Sequence, residues 1–289
     1  MPYNNQRAER QYMPEYKRLL TAIFNAQNAW GEALQDIQIT DGVRHNAKAF
    51  SVKTNNTPVV IGTYNTGANV AFGTGTANSN RFGNRTEVIY TDTDVPYDYT
   101  LAIHEGLDNF TVNEDMDFAV AERLEVQSQA QTRWMNTRIG QFISTEAGND
   151  VALTAVDEAN ITEAFSTLSA FYVNSEVFVP VDAFVTPAVY NVLVKAELIT
   201  TDKNSSVNID TGTIEMSFGF RIIRTPDQYF VADEVAYFVP RGIILPFVGI
   251  STARAISSES FDGTALQAAA KGGTYVSEEN ASVISKLTI

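Results

Sequence analysis

Apolar residues recur at helical spacing through an unusually long stretch in the middle of the chain. The members of this stripe are Met116, Val120, Leu124, Met135, Ile139 and Phe142. Polar Ser128 and Gln131 divide the stripe, and Thr111 with Glu114 fits a capping box at its start. A helix over residues 114–147 would be roughly 50 Å long. Such a helix cannot be buried within one small core, so we expect it to bridge parts of a subunit or to lie along a partner.

The N-terminal residues 13–39 also carry apolar side chains at helical spacing and predict a helix. An amphipathic helix needs a surface to cover. This helix therefore docks either on its own domain or, as an arm, on a neighbouring subunit, and the sequence leaves both alternatives open.

Between the two predicted helices the pattern changes to that of an extended hairpin. Residues 49–54 and 58–64 alternate as an outgoing arm, and residues 86–90 supply a returning strand. Residues 62–84, rich in Gly, Asn and Thr, connect the arms and are typical of a long interaction loop. Because a two-stranded ribbon alone is marginally stable in water, we expect contact with other subunits to stabilise it.

The C-terminal half predicts a mixed α+β unit that ends in strands. The predicted helices span residues 160–172 and 188–198, and the predicted strands span residues 177–186, 218–224, 228–231 and 235–239. Asp262-Gly263 is a hairpin signal between strands at residues 255–260 and 264–270, although the alanines at 268–270 also suit a helix.

Composition narrows the function classes. A chain of 289 residues with 44% hydrophobic residues has enough apolar surface for a core, and the lack of cysteine removes disulfides and thiolate chemistry. The net charge of −14 argues against a dedicated nucleic-acid-binding surface. No apolar run approaches the roughly 20 residues that span a bilayer, so we expect no membrane partner.

The candidate catalytic and metal-binding patterns are incomplete. His104 begins an H-E-x-x-H zinc pattern, but Asp108 stands where the second histidine is required. The spacing of Asp92, Asp94 and Asp98 resembles part of a calcium-binding loop, but the segment lacks the glycine and the final glutamate that such a loop requires. These aspartates are better explained as turn-forming residues. Paired carboxylates for glycoside hydrolysis stay open, although nothing in the sequence singles out a pair. We predict no catalytic residue, no metal and no cofactor.

The candidate functional residues are instead contacts between subunits. Arg81 and Arg85 in the long loop fit intersubunit hydrogen bonds and ion pairs, against the alternative of an unattached loop. The full set of candidate intersubunit contacts is Arg81, Arg85, Phe82, Arg7, Arg10 and Trp30.

The order of arm, extended loop, long helix, α+β unit and closing strands resembles the major capsid proteins of tailed bacteriophages with the Hong Kong 97 fold, particularly those of lactococcal and streptococcal phages. The strings that carry the resemblance include Phe110-Thr111-Val112-Asn113, Gln129-Ala130-Gln131-Thr132-Arg133, Phe184-Val185-Thr186-Pro187 and Phe261-Asp262-Gly263. The match covers nearly the whole chain, and the order and spacing of the strings carry it.

The resemblance implies an α+β capsid fold with an N-terminal arm, an extended β-hairpin loop, a long spine helix, a peripheral domain and an axial domain. The implied boundaries are residues 1–46 for the arm, 47–100 for the extended loop, 101–147 with 241–289 for the peripheral domain, and 148–240 for the axial domain.

It also implies a function without catalysis. The chain would assemble as hexamers and pentamers into an icosahedral head shell, in the virion capsid, around double-stranded DNA that it does not bind specifically. The implied partners are a separate scaffolding protein, a portal and a decoration protein. The alternative is an encapsulin-like nanocompartment shell that encloses a cargo enzyme.

Overall fold

The chain divides into a smaller unit, Val43–Tyr97, and a larger unit made of Met1–Gly42 and Asp98–Ile289. The computed structural model describes residues 28–39, 48–55, 57–67, 81–83, 85–112, 116–199, 207–208 and 213–289. Strands β2 and β3 lie in the smaller unit, and all other elements lie in the larger one.

Within the described residues the strands are β1 (Gln38–Ile39), β2 (Lys48–Thr54), β3 (Thr91–Pro96), β4 (Tyr99–Asp108), β5 (Asn149–Ala152), β6 (Val181–Val185), β7 (Val207–Asn208), β8 (Thr213–Ile214), β9 (Met216–Ser217), β10 (Phe220–Arg224), β11 (Glu234–Pro240), β12 (Leu245–Ser257), β13 (Gly263–Tyr275) and β14 (Ser285–Thr288). The helices are α1 (Asn109–Val112), α2 (Met116–Glu146), α3 (Glu158–Asn174), α4 (Pro187–Ile199) and α5 (Glu278–Ala281), with a 3₁₀ turn at Asp227–Tyr229.

Two sheets organise the larger unit. One has the strand order β1-β12-β13-β4, in which β12, β13 and β4 pair antiparallel. The other has the order β5-β14-β11-β6-β10-β9 and mixes parallel with antiparallel pairs. The last strand of the chain, β14, lies between β5 and β11, so the C-terminal residues complete the second sheet rather than the first.

Two buried clusters hold the larger unit together. In the first, α3 and α4 pack on the six-stranded sheet, and Phe165, Phe220 and Phe238 meet edge to face with ring centroids as close as 4.9 Å. In the second, Ile139 and Ile143 of α2 pack with other buried side chains, several of which come from the six-stranded sheet. The long helix therefore belongs to the core only through its C-terminal half, since residues 116–126 include no buried side chain.

Local sequence signals explain where the C-terminal helices begin. Asp157 accepts a hydrogen bond from the backbone N–H of Asn160 at 2.9 Å, which caps α3. Pro187 occupies the first turn of α4, where its missing N–H is not needed. The structure confirms both predicted helices, the antiparallel hairpin around Asp262-Gly263, and a strand rather than a helix at residues 268–270.

Several element predictions are wrong. The helix predicted for residues 13–39 does not include residues 28–39, which form a turn and then β1; residues 13–27 lie outside the described residues. Long-range contacts override the local spacing here, since Leu34 bridges to Ile244 and Gln35 donates its N–H to the carbonyl of Ile244 at 2.8 Å. Residues 228–231 are not a strand, because Asp227–Tyr229 forms a 3₁₀ turn.

The predicted strands at residues 58–64 and 86–90 are also absent, because the pairing of β2 with β3 ends at Thr54 opposite Thr91. The long helix runs from Met116 to Glu146 within the described residues, and α1 precedes it; its predicted start at residue 114 lies outside the described residues. Glu114 of the predicted capping box lies outside the described residues, while the hydroxyl of Thr111 donates to the carbonyl of Asp108 at 3.0 Å.

Candidate subunit interface

The smaller unit is built on the antiparallel ribbon of β2 and β3. Lys48 forms an ion pair with Asp94 across the ribbon, and Ser51 donates its hydroxyl to the same carboxylate at 2.8 Å. The bond from Lys48, followed by the one from Ser51, lowers the pKa of Asp94. Asp94 is therefore an ion-paired strand residue, and the prediction that it forms a turn is wrong.

Beyond the ribbon, both arms carry consecutive exposed apolar side chains. On the outgoing arm Val59, Val60 and Ile61 are 89%, 74% and 93% exposed, and on the returning arm the residues are Val88, Ile89 and Tyr90, each at least half exposed. Neither run has a strand partner among the described residues. Single exposed apolar residues are ordinary, but runs of them mark surfaces that associate with other molecules.

The predicted contact residues Arg81 and Phe82 lie together beside the outgoing arm. Phe82, which is 83% exposed, meets Tyr64 edge to face with the ring centroids 5.2 Å apart. Arg81 places its guanidinium carbon 6.0 Å from the Tyr64 ring centre and donates from Nη1 to the carbonyl of Asn65 at 2.9 Å. The aromatic pair is thus held in place by Arg81 while most of Phe82 remains available to a partner.

The other predicted contact residues are not part of this group. Arg85 is exposed on the returning arm, and Arg7 and Arg10 lie outside the described residues. The prediction for Trp30 is wrong, because its side chain is fully buried within its own chain. It packs against Phe184 with the two ring centroids 5.0 Å apart. Its indole N–H donates to the carbonyl of Asn136 at 2.8 Å, so no surface of Trp30 is left for a neighbour.

Sequence reasoning did not identify the exposed apolar runs as candidate contact residues. The alternation and β-branched composition of these runs were visible in the sequence. That pattern predicted two strands that pair with each other within one hairpin. An unpaired ribbon arm produces the same pattern as a paired one, because side-chain composition does not record which strand lies alongside.

The incomplete zinc motif has a structural use in the larger unit. Glu105, the residue after His104, accepts two hydrogen bonds of 2.6 Å from Arg123 on α2 and one of 2.7 Å from Gln127. The bond from Arg123 is the main cause that lowers the pKa of Glu105 to about 2, although burial opposes it. The ionised Glu105 side chain therefore links β4 to the long helix. His104 lies beside Gln267 of β13.

The described residues contain no group of three or more His, Cys, Asp or Glu side chains arranged to hold a metal ion. No helix in the described part of the chain is long and apolar enough to cross a membrane.

A scan against protein-family models and a search of curated proteins both find no match. Solved structures do match over most of the chain. The mature capsid of bacteriophage PhiM1 is similar with a TM-score of 0.67 at 13% identity, covering 91% of this chain and 88% of that one. The capsid of cyanophage P-SCSP1u is similar with a TM-score of 0.64 at 12% identity, covering 93% and 94%.

A virus-like particle from Pyrococcus furiosus is also similar, with a TM-score of 0.50 at 16% identity over 94% of this chain and 98% of that one. Likeness at such low identity establishes the fold. The chain has the Hong Kong 97-type capsid fold, of mixed α+β class, as the sequence resemblance predicted.

Proposed function

We propose that the chain is a major capsid protein, which self-assembles as hexamers and pentamers into the icosahedral head shell around a phage genome. The observation that carries the proposal is the exposed apolar surface of the smaller unit, above all Val59, Val60 and Ile61. On a capsid fold such a surface is explained by burial against neighbouring copies, where many modest interfaces add up to a stable shell.

The acidic composition supports the same function. A net charge of −14 lets a shell wall enclose double-stranded DNA without binding it, because phosphate binding requires clustered Lys and Arg. We further propose that a separate scaffolding protein, a portal and a decoration protein act on this shell, and that its location is the virion capsid. Residues 47–100 would then act as the extended loop, with the peripheral and axial domains bounded as the sequence predicted.

Replacing the outgoing run tests the proposal. Val59→Thr, Val60→Thr and Ile61→Thr together keep β-branching but remove apolar contact, at about 1 kcal/mol per side chain if each is buried in the shell. A loss of about 3 kcal/mol per copy raises the protein concentration needed for assembly roughly 100-fold. Because all three side chains are exposed in the single chain, its circular dichroism and tryptophan fluorescence should not change.

The matched control is Val59→Ile with Ile61→Val, which keeps the surface apolar and should assemble normally. Electron microscopy and sedimentation measure the yield of closed particles. Normal particles from the threonine variant at unchanged concentration contradict the role of this surface in assembly, whereas the absence of particles from the unmodified chain contradicts the proposed function.

The likeness to the Pyrococcus furiosus particle favours a second function, a nanocompartment shell around a cargo enzyme. The two functions differ in what the particle contains. Mass spectrometry of particles purified from the native source should find portal and tail proteins with DNA for a phage head, and one abundant enzyme without DNA for a nanocompartment.

A further inference from the structure

The chain re-enters the larger unit at Asp98, directly after the smaller unit ends at Tyr97. Strand β3 ends at Pro96 and β4 begins at Tyr99, so two residues connect the strands. The contacts that Asp98 and Tyr99 make within the larger unit show how this point of attachment is held.

Asp98 is bound from two sides. From β13, its backbone N–H donates to the carbonyl of Gly272 at 3.1 Å, and its Oδ2 accepts from the hydroxyl of Thr274 at 3.2 Å. From α2, Nη2 of Arg138 donates to the carbonyl of Asp98 at 3.3 Å and lies 3.8 Å from its Oδ2. Asp98 is therefore tied both to a neighbouring strand and to the long helix.

Tyr99 is held by an aromatic ring and by the same arginine. Its ring meets Trp134 edge to face with the centroids 5.3 Å apart. The guanidinium carbon of Arg138 lies 5.9 Å from the centre of the Tyr99 ring and 5.6 Å from the centre of the Trp134 ring. Both distances are short enough for cation–π attraction. Trp134 and Arg138 are four residues apart on α2 and so lie on one face of the helix.

Gly272 of β13 makes room for this cluster. A Cβ atom added at Gly272 would lie 2.5 Å from the hydroxyl oxygen of Tyr99 and 2.5 Å from the carbonyl oxygen of Phe247. The packing of Tyr99 therefore depends on a glycine of the neighbouring strand as well as on the arginine of α2.

Arg138 does not hold α2 in the core. Ile139 and Ile143 do so, because they are buried in the second cluster. The Arg138 side chain is instead 37% exposed, and an ion pair of so exposed a group contributes little to the stability of the whole chain. The contacts of Arg138 act on Asp98 and Tyr99, where the chain returns from the smaller unit.

We propose that Arg138 is a positioning residue for assembly: through Asp98 and Tyr99 it fixes the point at which residues 48–96 are attached to the larger unit. The proposal rests on the proposed capsid function and deepens it, because it names the residue that prepares the smaller unit for contact with neighbouring copies. A fixed attachment lowers the conformational entropy that is lost when copies dock, and the same reduction applies at every such contact in a shell.

Two substitutions separate the charge and the N–H donors of Arg138 from its bulk. Arg138→Met keeps an unbranched side chain but removes both, whereas Arg138→Lys, the matched control, keeps a positive charge and N–H donors. In unassembled subunits of the methionine variant, backbone amides of residues 97–100 should exchange with deuterium about tenfold faster, because the attachment opens locally. Amides of β11, whose residues are all buried, should keep their rate. The lysine variant should stay close to the unmodified chain at both places.

Mass spectrometry of peptic peptides measures this exchange. Unchanged exchange at residues 97–100 overturns the proposal. Equal acceleration in β11 also overturns it, because that result indicates a general loss of stability rather than a local opening.

Assembly supplies the second measurement. At one protein concentration, the methionine variant should give several-fold fewer closed particles than the unmodified chain by electron microscopy, and the lysine variant should keep most of the yield. Normal particles from the methionine variant, or an equal loss in both variants, overturn the proposal.

The two levels of inference fail differently, because the exchange measurement uses single subunits and needs no shell. If the unmodified chain forms no particles with or without a scaffolding protein, the capsid function fails and the role of Arg138 in assembly fails with it. If the unmodified chain forms particles and the methionine variant forms them equally well, only the positioning role fails.

Discussion

Gly140 lies inside the C-terminal part of the long helix α2, where an alanine would normally be preferred. A Cβ atom added at this position would lie 2.0 Å from the carbonyl oxygen of Tyr229 and 3.2 Å from the indole ring of Trp30. Both contacts are closer than ordinary van der Waals contact. We therefore predict that Gly140→Ala destabilises the subunit, although the same change in an exposed helix stabilises it.

The magnitude follows from two opposing terms. Helix propensity favours alanine over glycine by about 1 kcal/mol. Overpacking a core costs about 1–3 kcal/mol, and here the upper end applies because the nearest atom belongs to the backbone and cannot rotate away. We expect the free energy of unfolding to fall by about 2 kcal/mol.

Urea unfolding of unassembled subunits measures this change, with tryptophan fluorescence as the signal because Trp30 lies next to the substituted position. The control is Ala130→Gly at an exposed site on the same helix, which should lower stability by about 1 kcal/mol through propensity alone. If Gly140→Ala raises stability by a similar amount, the close approach of α2 to Tyr229 is refuted.

Three further predictions concern charged side chains. The pKa of Glu105 is about 2 in the fold and 4.5 without its partners, so its contribution to the free energy of unfolding is complete above pH 4.5 and is lost as the pH falls towards 2. The urea midpoint of Glu105→Gln should therefore fall less steeply than that of the unmodified chain between pH 4.5 and pH 2. An equally steep fall contradicts this. Arg241→Gln leaves the fully buried Asp182 unpaired and should cost about 3 kcal/mol by urea unfolding, with partial recovery when Asp182→Asn is added; no recovery contradicts the pairing. Lys286→Met removes a 2.9 Å bond to the buried Glu234, which keeps donors from Ser144 and Tyr237, so thermal unfolding should show a loss of about 1–3 kcal/mol; an unchanged melting temperature contradicts it.

Much of the fold was predictable because the signals were local. The apolar spacing of α3 and α4, the first-turn proline of α4 and the Asp262-Gly263 turn all lie within a few residues of the elements that they define. The length of α2 was likewise visible, and the helix continues through Gly140 without a break. The reason for that glycine was not visible, because Tyr229 is far away in sequence.

The candidate site was predicted only in part. Arg81 and Phe82 were identified from composition, and the structure brings them together with Tyr64. Trp30 was assigned to the interface because its spacing suggested an amphipathic arm, yet it fills the core of its own chain. Spacing shows that a side chain belongs on an apolar face but not which surface covers that face.

The sequence by itself determined the α+β class, the long helix, the C-terminal helices and the last hairpin, because propensity, periodicity and turn chemistry act over short stretches of chain. The tertiary structure alone decided that β14 lies between β5 and β11, that Glu105 anchors α2, and that the arms beyond Thr54 and Thr91 are left without a strand partner in the described chain. Strand pairing and burial depend on segments that are distant in sequence, and the geometry that brings them together exists only once the chain has folded.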